Sequence, residues 1–316
     1  MRMVKCQVLL LALTALVGLG HRARGDSWAA PSPEEFASAS GKYVFRITPH
    51  EKWSEKPGHC TGELFKVEGE KRTLVWSRHL LNDVAPVKAH VTDDGEHVVT
   101  LDEWHHVGEL PVVIYGPRGR RAAVHTIETL GLGEDTSHIK QSVSSFWWNE
   151  NSIVFFTADG KRLIIRLHWG KMLIVDLGRG EMMNEKWYEL HKGWYIKEDE
   201  WTALKESAEK RAGELALELV SSGDDHERQA GAMAAGQLKL RAAIPQLRKL
   251  LTDAAVYSEQ TGTGPWMDVY PVRKAAVEAL KALGENVHGV VTEEPQKRAG
   301  AGTVEELLDK AAKGKQ

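Results

Sequence analysis

The stretch Thr92-Asp93-Asp94-Gly95-Glu96-His97-Val98-Val99-Thr100-Leu101, answered further on by Val112-Val113-Ile114-Tyr115-Gly116-Pro117-Arg118-Gly119, decides the fold class. Asp94-Gly95 supplies the positive φ of a tight hairpin, because glycine has no Cβ to clash there. The run behind it is rich in β-branched residues, which suit a pleated strand. The second run closes on a glycine- and proline-containing turn. Strand, turn and strand at short intervals form an antiparallel array.

Working outward, the same pattern extends from Gly41 to about Gly180. Further strand-prone runs are Tyr43–Ile47, Glu63–Val67, Ser152–Phe156, Leu163–Leu167 and Lys171–Val175, with Glu68-Gly69-Glu70 and Asp159-Gly160-Lys161 among the turns. The segment also repeats itself. Gly41-Lys42-Tyr43-Val44-Phe45 matches Gly95-Glu96-His97-Val98-Val99, and loops containing Trp53 and Trp104 follow. Leu64–Val67 then matches Val112–Tyr115, and Leu74–Ser77 matches Ala123–Thr126. A third copy is read from Asn149-Glu150-Asn151-Ser152-Ile153-Val154, past Trp169, to Leu173-Ile174-Val175-Asp176. A period of roughly 50 residues is that of propeller blades and related meanders.

Thr92–Val99 resembles the opening of WD40-like and other propeller-type blades, and Val113–Gly119 resembles their later hairpin. The resemblance implies a propeller-like domain. Three copies fall short of the usual minimum of about four blades. The alternatives are a partial propeller, an open twisted meander, or a propeller completed by association.

From Glu198 the period becomes helical. Trp201, Leu204, Ala208, Ala212, Leu215 and Leu219 share one face. Ser221-Ser222-Gly223-Asp224-Asp225 stops that helix and offers the next N-cap. Helices over His226–Leu238 and Ala242–Leu251 follow, Pro245 being tolerated in a first turn. A long insert, Asp253–Trp266, precedes a fourth helix over Tyr270–Leu283, stopped by Gly284. Arg228–Gly236 followed by Ala243-Ile244-Pro245-Gln246-Leu247 resembles a bacterial HEAT repeat of the PBS-lyase-like kind. Val272–Leu280 resembles the start of the next repeat. The resemblance implies an α-solenoid fragment, a type of surface that binds protein. Lyase activity does not carry over, because fold does not fix function. Stacked repeats need about three units, so the Trp201–Val220 helix is expected to pack as a cap.

At the N-terminus, Arg2 and Lys5 lead the apolar run Val8–Gly20, which is short for a membrane span of ~20 residues. Small residues behind it make 1–25 an export signal, while Arg22 and Arg24 keep an uncleaved anchor open. The expected location is periplasmic or extracellular, in a protein of bacterial type. With the signal removed, Cys60 is the one cysteine left, and it is expected to be buried. The predicted organisation is therefore a multidomain β-then-α chain. It comprises the signal (1–25), an antiparallel β-repeat, propeller-like domain (36–185), a short HEAT-like module (198–290) and a polar, partly disordered tail (291–316). Within that tail Val304–Leu308 reads as a short helix.

The 316 residues carry 41 Lys+Arg against 44 Asp+Glu, which excludes a generally basic nucleic-acid binder and an acidic disordered chain. Two cysteines exclude a disulfide scaffold. No P-loop, GxGxxG or GxSxG motif occurs, and Ser144-Ser145 has no base beside it in sequence. Arg118-Gly119-Arg120-Arg121 reads as a solvated basic turn. Histidines are densest at His90, His97, His105 and His106, beside Asp102 and Glu103. They lack the ligand spacing of a zinc site. His97 falls in a predicted strand, and His105 and His106 point to opposite sides if the chain there is extended. No catalytic residue, metal or cofactor is expected.

Trp53, Trp104 and Trp169 recur in the same loop of each copy, and Trp147-Trp148 precede the third. They either pack between the copies or form an aromatic face for carbohydrate or peptide. The expected function is that of an exported, non-catalytic scaffold that binds a protein partner, with self-association open and nucleic acid excluded. The alternative is an extracytoplasmic carbohydrate-binding protein or enzyme, using a loop face of Trp53, Trp104, His105, His106 and Trp169.

Overall fold

One turn design recurs three times in the first part of the chain, and each time it joins the first two strands of a four-stranded antiparallel meander. In the computed structural model, which describes residues 28–50, 59–260 and 266–296, the first sheet is β1 (Glu34–Ala37), β2 (Tyr43–Thr48), β3 (Thr61–Glu68) and β4 (Lys71–His79). The second is β5 (Lys88–Val91), β6 (Val98–Leu101), β7 (Val112–Tyr115) and β8 (Arg121–His125). After a short pair, β9 (Lys140–Gln141) and β10 (Phe146–Trp147), comes the third. It comprises β11 (Ile153–Phe156), β12 (Arg162–Arg166), β13 (Met172–Asp176) and β14 (Glu181–Met182). The export signal, Trp53 and the Val304–Leu308 segment lie outside the described residues.

The turn works through a hydroxyl. Thr92 Oγ1 donates to Asp94 Oδ1 (2.6 Å) and accepts from the His97 backbone N–H (3.0 Å), while Gly95 takes φ 69°. Thr157 does the same with Asp159 (2.6 Å) and the Arg162 N–H (3.1 Å), with Gly160 at φ 67°. In the first sheet Ser38 Oγ accepts from the Tyr43 N–H (3.2 Å), with Gly41 at φ 68°. This turn corrects the register read for the third copy. Asn149–Val154 leads into β11, a first strand, whereas Tyr43 and Val98 open second strands. The mismatch has a physical source. Asn151 takes φ 56°, so the turn before β11 mimics a glycine turn.

The sheets bury their alternating residues against one another. Phe45, Ile47, Leu64 and Trp76 pack with Val91, Val98, Val113 and Tyr115, and the buried Cys60 joins them. Val99, Leu101 and Ile114 pack with Leu163, Ile165, Leu173 and Val175 around Trp148. Each such side chain contributes roughly 1.5–3 kcal/mol of burial free energy. The far face of the third sheet is covered by helices. Ile164 and Ile174 meet Trp187 and Tyr188 of α1 (Glu185–His191) and Trp201 and Ala208 of α2 (Glu198–Leu219). The first half of the Trp201–Val220 helix thus covers a sheet, and only its last turn, at Leu219 and Val220, packs on the helical repeat as the expected cap. The reason is the bulk of Trp201, which fits an aromatic seat beside Tyr188 (rings 5.5 Å apart, 8° between planes).

The chain divides into two compact units between Glu214 and Leu215, within α2. The second unit contains α3 (Asp225–Gln237), α4 (Ile244–Leu250) and α5 (Pro271–Ala282). Small residues let these helices approach closely. A Cβ on Gly231 would stand 2.6 Å from the Val220 nitrogen, and one on Gly236 would stand 2.7 Å from the Ala279 Cα. Leu247, Leu250, Val272 and Leu280 fill the seam. Arg228 holds Asp253 in a two-point fork, Nε to Oδ2 at 2.8 Å and Nη2 to Oδ1 at 3.2 Å.

The described part of the expected insert contributes a strand to a small sheet. β15 (Tyr257–Gln260), β16 (Trp266–Val269) and β17 (Glu293–Pro295) pair in that order, so the start of the polar tail is a strand. Its polarity hid it from periodicity. Ser258 Oγ donates to Asp268 (2.8 Å) and the Tyr270 hydroxyl to Glu294 (2.6 Å). Among the described residues, no helix is long and apolar enough to cross a membrane.

Asp224 caps α3 by accepting from the Glu227 N–H (3.0 Å). Asp224→Ala should cost about 1 kcal/mol. Thermal unfolding of the helical unit, followed by circular dichroism at 222 nm, checks this; an unchanged midpoint would show the cap to be dispensable.

Candidate functional site

The loop from Asp102 to Pro111 joins β6 to β7, and its first two residues turn inward despite their charge. Asp102 is 1% exposed and takes φ 61°. Its Oδ1 accepts from the Gly108 N–H (2.8 Å) and Trp148 Nε1 (2.8 Å), and its Oδ2 accepts from Asn149 Nδ2 (2.8 Å). Burial pushes this carboxyl up to about 7, against the pull of those donors. Glu103 is also buried, and burial raises its carboxyl too. Its Oε1 accepts from the N–H groups of Val84 (3.0 Å) and Ala85 (3.3 Å), and its Oε2 from Asp83 (3.0 Å). Two neighbouring carboxyls therefore fasten three loops, 82–85, 102–111 and 148–149.

Strain is concentrated in the same loop. His105 has φ 71° and Leu110 φ 51°, in addition to Asp102. Aspartate and histidine tolerate this region better than leucine does. Such clusters mark positions over-determined by their surroundings.

The fastened loop presents an aromatic group. Trp28 stacks on Trp147 (5.6 Å, 14°) and meets Trp104 edge-on (6.0 Å, 67°). His105 lies 6.0 Å from Trp28 and 5.4 Å from Trp104. The chain at His105 and His106 is turned rather than extended, so the two rings do not point apart. The His106 N–H bonds back to the Glu103 carbonyl (3.0 Å), and the resulting turn brings the two rings to 5.4 Å. His97 likewise stands just before β6 rather than within it. Trp169 lies in the matching loop between β12 and β13, stacked on His138 (5.5 Å, 10°) with His168 edge-on at 4.8 Å. The structure thus brings Trp104, His105 and His106 together, while Trp169 belongs to a second group.

Sequence reasoning missed Trp28, which carries no periodic signal, and the buried state of Asp102 and Glu103. An adjoining cavity of about 460 Å³ is lined by His106, Gly108, Gln141, Ser142, Ser145 and Phe146, among others. No group of three or more His, Cys, Asp or Glu residues gathers as a metal site among the described residues. The Cys60 thiol is pushed up by burial, which leaves it unreactive at neutral pH.

No family model matches this chain, and a search of curated proteins finds no match. Solved structures it is similar to include the periplasmic gluconolactonase PpgL of Pseudomonas aeruginosa (12% identity, 50% of this chain and 39% of that one, TM-score 0.29). They also include the C-terminal WD40 domain of Sif2 (13% identity, 44% of this chain and 32% of that one, TM-score 0.23). A third is HIRA(644–1017), at 11% identity over 84% of this chain and 96% of that one, TM-score 0.25. The chain spans well under half the length of the first two, and at these TM-scores the likenesses carry no argument.

Proposed function

We propose that the protein is an exported, non-catalytic binding protein. In this reading three propeller-like sheets present an aromatic loop face to a protein partner, and a HEAT-like helical unit adds a second scaffold. The observation that carries it is the engagement of the two carboxylates beneath the loop face. Every oxygen of Asp102 and Glu103 accepts a structural hydrogen bond. The pair acts as a fastening for the loop that carries the aromatic group of Trp28, Trp104, Trp147 and His105. Aromatic side chains with polar tips are the usual anchors of protein interfaces.

The test is capture from envelope extract on immobilised wild-type protein and on the Trp147→Ala variant, with near-ultraviolet circular dichroism confirming the variant's fold. A retained species depleted at least ~10-fold by Trp147→Ala is expected, an effect of the size of one aromatic anchor. Equal retention would remove the loop face from the reading, and no retention would remove the partner.

The cavity beside His106 favours a second reading, carbohydrate binding. Its lining includes the aromatic Phe146 together with the polar residues Gln141, Ser142 and Ser145. A sugar presents a matching apolar face and polar rim. Glycan-array binding by the wild-type protein would promote this reading over the first.

A further inference from the structure

We infer that Trp28 is a resident, exchangeable ligand of the aromatic loop face, and that the partner taken there is an extended peptide anchored by a tryptophan side chain. This rests on the reading of that face as a protein-binding surface.

The first argument is how residues 28–33 are held. They form neither helix nor strand, and among the described residues they make no hydrogen bond. Pro31 and Pro33 have no N–H to donate, and prolines favour an extended, unpaired backbone. Ala29, Ala30, Ser32 and Pro33 are exposed. Within residues 28–33 the holding contacts are therefore those of side chains, the Trp28 indole in its aromatic seat and the half-buried Pro31. A strand or helix packed into a domain is held by its backbone as well, so an attachment through side chains alone is the kind a competitor can displace.

The second argument is the seat. Trp147 lies parallel to the Trp28 ring, Trp104 stands edge-on to it, and the His105 imidazole closes a third side. Stacked and edge-to-face walls select a large flat ring over an aliphatic chain. The walls come from two loops fastened to the buried Asp102, through the Gly108 N–H on one side and Trp148 and Asn149 on the other. A seat held in this way keeps its shape when its occupant leaves.

The third argument is an imperfection in the occupant. Trp28 Nε1 is buried without a hydrogen-bond partner. The neighbouring Trp148 Nε1, by contrast, donates to Asp102 at 2.8 Å. A buried donor left unpaired weakens the contact that buries it. An incoming tryptophan on a differently placed backbone can present an acceptor to its own indole N–H, and it then holds the seat better than Trp28 does.

The experiment uses the full chain and two synthetic peptides. One is the chain's own Asp26–Pro33 sequence, DSWAAPSP; the other carries alanine in place of its tryptophan. In Trp28→Ala the seat is vacant, so the tryptophan peptide should bind and the alanine peptide should not. Wild type should bind the tryptophan peptide at least ~10-fold more weakly, because the tethered Trp28 competes at high effective concentration. Adding Trp147→Ala to Trp28→Ala should abolish binding. In wild type, the Trp28 indole N–H should exchange with solvent much faster than that of Trp148, read by NMR.

Four outcomes would overturn the proposal. They are loss of cooperative folding in Trp28→Ala, equal binding of both peptides, equal binding by wild type and variant, and Trp28 protection matching that of Trp148. The peptide assay needs no cellular partner. Peptide binding without captured protein would therefore fail only the partner reading, and captured protein without peptide binding would fail only the tryptophan reading.

Discussion

Replacing Trp148 with alanine is expected to destabilise the sheet-containing unit by about 5 kcal/mol, near the upper end of tryptophan truncations in protein cores. The ring is fully buried, at 0% exposure, between the second and third sheets. Its removal leaves a cavity among Leu101, Ile165 and Leu173, side chains that are themselves fixed by strand pairing and cannot collapse into it. It also takes away the Nε1–H donated to Asp102, and leaving a buried acceptor without its donor costs about 1–3 kcal/mol. Trp148→Phe separates the two terms. It keeps most of the volume and loses the donor, so it should cost about 2 kcal/mol. Urea unfolding followed by near-ultraviolet circular dichroism reads both. A loss below about 2 kcal/mol in Trp148→Ala would mean that the core repacks freely, contrary to the rigidity expected of a close-packed interior. It would also mean that the fastening of the loop face does not depend on this ring.

The strands that carry the fold were legible because they combine β-branched residues with glycine turns. Tyr43–Ile47, Val98–Leu101 and Val112–Tyr115 all show this, and all three lie in strands. The order of strands within the third sheet was not legible, because Asn151 supplies a positive φ that sequence assigns first to glycine. The short α1 helix also escaped periodicity. At seven residues it is barely two turns, although Asn184 gives a cap signal by accepting from the Trp187 N–H at 2.8 Å. The polar sheet of β15, β16 and β17 offers no hydrophobic alternation at all. In the candidate site, the grouping of Trp104, His105 and His106 followed from adjacency in sequence. The arrival of Trp28 and Trp147 did not, because contacts between distant loops leave no local pattern. The burial of Asp102 and Glu103 leaves no signal in the sequence, since charged side chains are rarely buried. Only the fold shows that their oxygens meet N–H groups from other loops.

That burial has a consequence for pH. The Asp102 carboxyl has an ordinary value of 3.8 when unfolded and is pushed by burial to about 7 in the folded protein. Between these values the folded state holds a proton that the unfolded state has released. Stability from this group is therefore complete below about pH 4 and is lost as pH rises to about 7. The loss is on the order of 4 kcal/mol, since each pK unit is worth about 1.4 kcal/mol. Buried histidines act in the opposite sense. Burial lowers His90 to about 3, and burial also lowers His97, His125 and His168, so these groups lose stability as pH falls. They obscure the Asp102 contribution in the wild-type profile but cancel in a difference against Asp102→Asn. Asparagine tolerates the φ of 61°, and its amide oxygen still accepts from Gly108 and Trp148. A turned Asn149 amide then accepts from the new Nδ2. Urea unfolding of both proteins at intervals from pH 4 to 8 should show wild type falling relative to Asp102→Asn up to about pH 7 and level above it. A flat difference would mean that Asp102 is ionised throughout, the three N–H donors outweighing its burial. In that case Asp102→Asn would be the less stable protein at neutral pH, because it would have exchanged three charge-assisted hydrogen bonds for ordinary ones.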